Sequence, residues 1–414
     1  MKLAYFSPLP PSRSGIADYS ALLLPALRER IGVEVAKAGA KKRPRGTDAG
    51  LYHVGNDPDN HGWIVRALER EPGLVVLHEI VLHHLMAGLT LARRDSKGYL
   101  AAMEREAGLA GRLLAFGVLE GRVPPLWEAR AEDFPLAGHV LDLAAAGGGL
   151  IVHSQYVAGK AREAGFGGPV AVVPHPAWPA PQVEPARIDG EFVVGCFGHI
   201  NAAKRMPALL EAFAQLLQTH PKAKLLVVGA IAPRYELSGR LEKLDLGDAL
   251  IREEYVPEDR LWSLMARADV HVCLRAPTMG ETSGSALRAL SLGKPLAVSD
   301  LGWFSELPGD VAVKIPVDEH ETSTLASALA RLADDAAARE RMGAAALALA
   351  TTQHSVGRVA DLYVQEIEKS AGGPWLRDAV LGEVAQAAAG VGIAAADPEA
   401  GEIALRLREV GLGA

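Results

Sequence analysis

Residues 270–300 read VHVCLRAPTMGETSGSALRALSLGKPLAVSD, in which strand, turn, helix and strand signals follow one another. A short apolar run, VHVCLR, breaks at Pro277, and a turn-forming segment, Gly280-Glu281-Thr282-Ser283-Gly284, follows. An apolar pattern of helical period then runs over about Ser285–Leu292 and is stopped by Gly293 and Pro295, as helix ends commonly are. A second apolar run, PLAVSD, completes a strand–helix–strand unit, the building block of a parallel sheet.

Outward from this unit the alternation continues. FVVGCF (192–197), KLLVVG (224–229), ALIREEY (249–255) and VAVKI (311–315) read as strands, with helices around Pro207–Gln218 and Glu258–Arg267. The first half of the chain repeats the pattern with strands at Lys2–Phe6, Val33–Lys37, Leu51–Val54, Leu74–His78, Leu150–His153 and Val170–Val173, and with helices such as Ala17–Arg30 and Asn60–Glu69. Two doubly wound α/β domains are therefore expected, and 414 residues is a suitable length for them. The strand signal lapses over about 86–147, which predicts a helical insertion in the first domain (1–180). The segment PHPAWPAPQVEPARIDG (174–190) holds five prolines before its closing glycine and predicts an interdomain linker, centred on 181–190. The second domain is expected over 191–355, a closing helix over 356–372, and an appendage over 373–414.

Composition narrows the function classes. The chain is 49% hydrophobic and 22% charged, which is a globular balance, and its net charge of -7 argues against a nucleic-acid partner. The two cysteines, Cys196 and Cys273, lie in apolar runs and read as small buried hydrophobes, favouring a reducing, cytoplasmic setting. No run of about 18 apolar residues predicts a transmembrane segment, while peripheral membrane contact stays open. Oligomeric state is not encoded legibly.

In open parallel sheets, ligands bind outside the carboxyl ends of the strands, so the loops after strands carry the chemistry. SPLPPSRSGIADYS (7–20) places Gly15 just before a helix, where backbone N–H groups can approach an anion or simply form a tight turn. GHINAAKRMPALLEAF (198–213) puts Lys204 and Arg205 at the start of a helix, where the dipole disfavours cations, so either an anion is expected there or the two are a solvated charge pair. The turn from Gly280 to Gly284 offers free amides and hydroxyls suited to a diphosphate. Glu281 would repel phosphate and is expected to face neutral hydroxyls, such as those of a sugar, or else to serve as a first-turn helix acid. VVLHEIVLHHL (75–85) sets His78 and Glu79 at a strand end; His78, His83 and His84 lack the spacing and companion ligands of a zinc site.

Taken together, SGIADYS, GHINAAKR, PTMGETSG and LGKPLAVSD resemble the family-4 retaining glycosyltransferases of the two-Rossmann-domain type, over most of residues 1–370. The resemblance implies sugar transfer from a nucleotide-diphosphate donor with retention, no cofactor and no metal ion. It implies that Lys204 and Arg205 hold the diphosphate, that Glu281 and the following backbone embrace sugar and phosphate, and that His78 lies near the donor sugar. The catalytic set is then Glu281, His78, Lys204 and Arg205. The donor-binding set is Gly15, His199, Asn201, Lys204, Arg205, Glu281, Thr282, Ser283, Gly284 and Arg288. One departure stands out: the second glutamate expected eight positions after Glu281 is replaced by Ala289, with Arg288 beside it. Arg288 either takes the place of the missing ribose-binding carboxylate or lies on the solvent face of its helix. An epimerase or hydrolase on the same fold, and a non-catalytic binding subunit, are the rival readings; the acceptor is not named by any motif.

Overall fold

The computed structural model describes residues 1–410 apart from 13, 234, 372 and 373. The first domain contains β1 (Lys2–Phe6), α1 (Gly15–Arg28), β2 (Gly32–Val35), β3 (Ala49–Val54), α2 (Pro58–Leu68) and β4 (Leu74–Leu77). The insertion follows as α3 (His83–Thr90), α4 (Ser96–Leu119), α5 (Leu126–Ala129) and α6 (Gly138–Gly147), and the domain resumes with β5 (Leu150–Val152), α7 (Gln155–Glu163) and β6 (Val170–Val172). The second domain runs through β7 (Phe192–Phe197), α8 (Met206–Thr219), β8 (Ala223–Val228), α9 (Ser238–Leu244), β9 (Leu250–Glu253), α10 (Glu258–Arg267) and β10 (Val270–Cys273). It closes with α11 (Gly284–Ser291), β11 (Leu296–Ser299), β12 (Ala312–Ile315), α12 (Glu321–Asp334) and α13 (Ala336–Thr352), before α14 (Val356–Ser370), α15 (Pro374–Gly390) and α16 (Pro398–Glu409).

Both sheets have six strands and every pairing is parallel, in the orders β2-β1-β3-β4-β5-β6 and β12-β11-β10-β7-β8-β9. The strands read as near-continuous apolar runs because helices cover both faces, as β4 and β7 show by being buried along their whole length. The strand order reverses beside β1 in the first sheet and between β7 and β10 in the second, and such switch points open crevices at the strand carboxyl ends. The two-Rossmann, GT-B type architecture expected from the sequence is the one observed.

The helix that shapes the second crevice is locally determined. Ser283 caps α11 by accepting from the Ala286 amide at 3.3 Å, and Ala286, Leu287, Ala289 and Leu290 bury its inner face. Gly293, at φ +64°, ends the helix while its amide reaches Leu290 O and the Lys294 amide reaches Ala289 O. Gly343 of α13 crosses at this end: a Cβ there would stand 2.2 Å from the Gly293 carbonyl oxygen.

The closing helix behaves differently from its neighbours in sequence. α14 leaves the second domain and packs on the first, where Val359, Ala360, Tyr363 and Ile367 join the core of Leu3, Tyr5, Leu23 and Leu27. Tyr363 Oη lies 2.6 Å from Tyr19 Oη, and Asp361 pairs with Arg30. The chain thus crosses between domains twice, and the crossings are tied to each other: the Ala177 amide donates to His354 O and His354 Nδ1 to His175 O, both at 2.7 Å. The break at Gly372 and Gly373 that the sequence suggests before the appendage lies outside the described residues.

Two glycines give a stability test. Gly343→Ala drives a methyl into backbone and should cost about 1–3 kcal/mol of unfolding free energy. Gly159→Ala, inside α7 with nothing within 4 Å of the added carbon, should gain about 0.5–1 kcal/mol. Urea unfolding of the two variants beside the parent checks both signs.

Candidate functional site

At the switch point of the second sheet lies a cavity of about 480 Å³. Its floor is Phe197, Gly198, His199, Asn201 and Lys204 from the end of β7, and its wall is Thr282, Ser283, Gly284 and Arg288 from the N-terminal end of α11. Glu254, Tyr255, Val256, Leu261 and Met265 line the far side. A second cavity of about 340 Å³ opens from the first domain, lined by Ser14, Gly15, Asp18, Asp57, His78 and Glu79 among others. Thr282, Gly284 and Arg288 border both cavities, so the two meet at the first turns of α11.

Lys204 is only 6% exposed, and its Nζ donates to the Phe197 carbonyl at the edge of the first cavity. Asn201 Oδ1, Thr282 Oγ1 and Arg288 Nε are buried without a hydrogen-bond partner among the described residues. Leaving such atoms unpaired costs about 1–3 kcal/mol each, and clustering around one cavity they mark the place of a polar ligand.

Arg205 does not belong to this group. It caps α8 in the left-handed region, at φ +54°, and lines neither cavity. Its guanidinium is taken by Glu321, at 3.0 and 3.1 Å from Nε, and that carboxylate is 3% exposed at the start of α12. The anion expected beside Arg205 is therefore a protein carboxylate that fastens α8 to α12. Nothing in the local sequence could reveal a partner over a hundred residues away.

Arg288 is not on the solvent face. Its guanidinium carbon sits 4.0 Å from the Trp178 ring centroid and 5.8 Å from that of Trp262, with Glu258 at 3.9 Å. Trp178 comes from the proline-rich linker, a cleft-forming role that its sequence context does not show. Burial lowers the Arg288 pKa, while Glu258 and Asp18 offset part of that effect.

Glu281 is held by its own loop: Oε1 pairs with Arg275 at 3.0 Å and Oε2 accepts from the Met279 amide at 2.8 Å. Its neighbour across the domains is Glu79, whose Oε1 accepts from the Asn56 amide at 2.7 Å. Burial, reinforced by Glu281, pushes the Glu79 carboxyl up to about 8.

His78 lies in the wall of the second cavity within a chain of imidazoles. His153 Nδ1 faces Val173 O at 2.9 Å, a contact that only an N–H can satisfy, so in the neutral ring Nε2 is an acceptor. His78 Nδ1 then donates to it at 3.3 Å, and His78 Nε2 accepts from His53 Nδ1 at 3.0 Å. Burial keeps all three rings neutral by lowering their pKa values, that of His153 to about 4. Both ring nitrogens of His78 are thereby engaged. His83 instead anchors the insertion through Phe134 O at 2.8 Å and Tyr99 Oη at 2.9 Å. Among the described residues no group of three or more His, Cys, Asp or Glu is arranged to hold a metal, and no helix is long and apolar enough to cross a membrane.

The second-sheet cavity falls within a recognisable domain. Residues 182–348 match the family model "Glycosyl transferases group 1". The chain is similar to 2-deoxystreptamine glucosyltransferase of Streptomyces kanamyceticus, at 27% identity over 36% of this chain and 38% of that protein. It is also similar to D-inositol 3-phosphate glycosyltransferase of Paenarthrobacter aurescens (strain TC1), at 30% identity over 35% and 36% of the two chains. The chain thus spans less than half the length of these curated relatives. Among solved structures, HepE of Anabaena in complex with UDP and glucose aligns with a TM-score of 0.59 at 15% identity, covering 89% of this chain and all of that one. Sucrose-phosphate synthase of Thermosynechococcus elongatus aligns with a TM-score of 0.60 at 16% identity, covering 89% and 98%. The structural similarities establish the fold of both domains, and the match to the family model runs from β7 into α13.

Beyond the residues expected from the sequence, the second domain contributes Arg275, and the first domain contributes Asp18, Asp57, Glu79 and His153, with Trp178 and His175 from the linker. Of these, Glu79, His153 and Arg275 carry a sequence signal, their positions at strand ends.

Two outcomes follow from this geometry. Arg205→Met should lower unfolding free energy by about 1–3 kcal/mol, the cost of a buried acceptor left unpaired, while leaving UDP affinity unchanged in calorimetry. For Glu79, the folded pKa stands above the unfolded one, so the native state binds the extra proton between about pH 4.5 and 8 and loses stability as pH rises through that window. Glu79→Gln removes this slope, and its melting temperature should exceed the parent's by a margin that widens from pH 5 to pH 8.

Proposed function

We propose that the chain is a retaining glycosyltransferase that moves a sugar from a nucleotide-diphosphate donor to an acceptor hydroxyl. The observation that carries this reading is the meeting of the two cavities at Thr282, Gly284 and Arg288, with unpartnered buried polar atoms around the nucleotide-sized one. The diphosphate is assigned to the amides at the start of α11 and to Lys204. A helix N-terminus and a buried ammonium are most effective where negative charge grows as the glycosidic bond to phosphate breaks. His199 and Asn201 flank the nucleotide, and Arg288 turns its donors toward the junction, in place of a ribose-binding carboxylate.

The transferred sugar is assigned to the junction, between Glu281 on one side and Gly15 and His78 on the other. Glu281, oriented by Arg275 and the Met279 amide, accepts from sugar hydroxyls. The acceptor enters from the first domain. The acceptors in the names of the curated relatives, 2-deoxystreptamine and D-inositol 3-phosphate, are six-membered polyhydroxylated rings, and a cavity of about 340 Å³ suits a ring of that size. No metal ion is assigned, because Lys204 and the α11 amides meet the charge on the leaving diphosphate.

Lys204→Ala tests the assignment. It should weaken UDP binding and lower transfer from UDP-glucose by about 2–4 kcal/mol in transition-state free energy, as expected for a preorganised charged contact. Calorimetry with UDP and turnover with a panel of nucleotide sugars measure both. Unchanged UDP affinity in a folded variant would move the diphosphate to another loop.

A further inference from the structure

The second cavity has an uneven supply of hydrogen-bonding groups. Carboxylates of Asp18, Asp57, Glu79 and Glu281 line it. Asp57 is committed to the start of α2, accepting from the Asp59 amide at 2.9 Å and from Asn60 Nδ2 at 2.5 Å. Glu281 already receives Arg275 and the Met279 amide, and its remaining lone pairs are those assigned to sugar hydroxyls. Glu79 uses Oε1 for Asn56 and keeps Oε2 unengaged, and Asp18 accepts no hydrogen bond from the described residues.

An independent group points the same way. His175 lines this cavity and is 7% exposed. Its Nδ1 faces the Pro176 carbonyl at 2.8 Å and must donate to it, and burial keeps the ring neutral. Its Nε2 is therefore a lone pair, and it has no partner among the described residues. Beside it stands the Trp178 ring, whose other neighbour is the Arg288 guanidinium. Besides Arg288 and the Thr282 hydroxyl, Asp18, Glu79 and His175 offer side-chain groups without partners, and two of the three are carboxyl groups. A ligand that satisfies them has to donate, and a positive charge on it is matched by Asp18 and by Glu79 once that carboxyl gives up its proton; a phosphate-bearing ligand would meet one arginine and several carboxyl groups.

We propose that this cavity takes an ammonium-bearing carbohydrate, an amino sugar or an aminocyclitol whose amine is received by Asp18, Glu79 and Nε2 of His175. The proposal rests on the glycosyltransferase reading of the same site and names the chemistry of one of its two sugar-like substrates. The state of Glu79 agrees with it. Burial, Glu281 and Asp57 raise its pKa, while the Asn56 amide and Arg275 lower it, and the balance leaves it protonated near neutral pH without a ligand. An arriving ammonium replaces that proton charge for charge: Glu79 releases H⁺ and the N–H of the ligand takes its place.

The test uses the full chain, with binding measured by calorimetry near neutral pH in buffers of different ionisation enthalpy. One arm, with UDP present, compares 2-deoxystreptamine with its analogue carrying hydroxyls in place of both amines; the other compares UDP-glucosamine with UDP-glucose. In one arm the amine should bind at least about tenfold tighter, the discrimination of a charge-assisted hydrogen bond in a half-buried site, with net proton release that the hydroxyl partner lacks. The arm that responds tells whether the amine belongs to the acceptor or to the transferred sugar. Glu79→Gln should abolish the proton release and Asp18→Asn should shrink the preference, each with UDP affinity retained as proof of folding. Equal affinity within both pairs, or no binding by any of the four compounds, overturns the proposal. Loss of UDP binding by the parent would instead overturn the glycosyltransferase reading.

Discussion

The two domains are held in register by backbone hydrogen bonds between their strand-end loops, and the site depends on this stitch. The carbonyl of Met279, in the loop after β10, accepts from the Ile80 amide at 2.9 Å and the Val81 amide at 3.3 Å, in the loop after β4. Both loops leave parallel strands at their carboxyl ends, so joining them brings two sheet crevices face to face. Gly280 makes the approach possible: it adopts φ +93°, and a Cβ there would stand 2.9 Å from a Val157 methyl and 3.2 Å from Ile80. Nearby, Glu306 of the second domain caps α7 of the first, accepting from the amides of Gln155 and Tyr156 at 3.0 and 2.7 Å. A carboxylate at a helix N-terminus gains from both the free amides and the dipole.

This docking explains why Glu79 and Glu281 face one cavity. Each is oriented within its own domain, by the Asn56 amide and by Arg275 respectively. In this half-buried cleft burial raises the Glu79 pKa, and the nearby Glu281 carboxylate adds to the effect. Arg288 is composite in a different way: α11 supplies the guanidinium, the linker supplies Trp178, and α10 supplies Trp262 and Glu258. The imidazole chain is likewise composite, drawing His53, His78 and His153 from the ends of three neighbouring strands whose order places them side by side.

Local pattern in the sequence is enough for the architecture and for the outline of the candidate anion site. Apolar runs and helical periods are short-range signals, and parallel sheets covered on both faces impose them strongly, so the strands and the two-domain division were legible, as was the insertion. Lys204 and the turn at 280–284 were legible as a candidate anion site because strand-end loops and helix N-termini follow from local pattern alone.

Tertiary structure decided which charges are available to a ligand. Arg205 and Lys204 are adjacent in sequence, yet the αL conformation at 205 turns one toward Glu321 of α12 and leaves the other under the cavity floor. Arg288 reads equally well as a surface residue until Trp178 and Trp262 enclose it. α14 has an ordinary amphipathic pattern, and only packing shows that its apolar face, with Tyr363 against Tyr19, belongs to the first domain. In each case the deciding partner lies far along the chain. Charge pairing and burial depend on distance in space, which no local periodicity encodes.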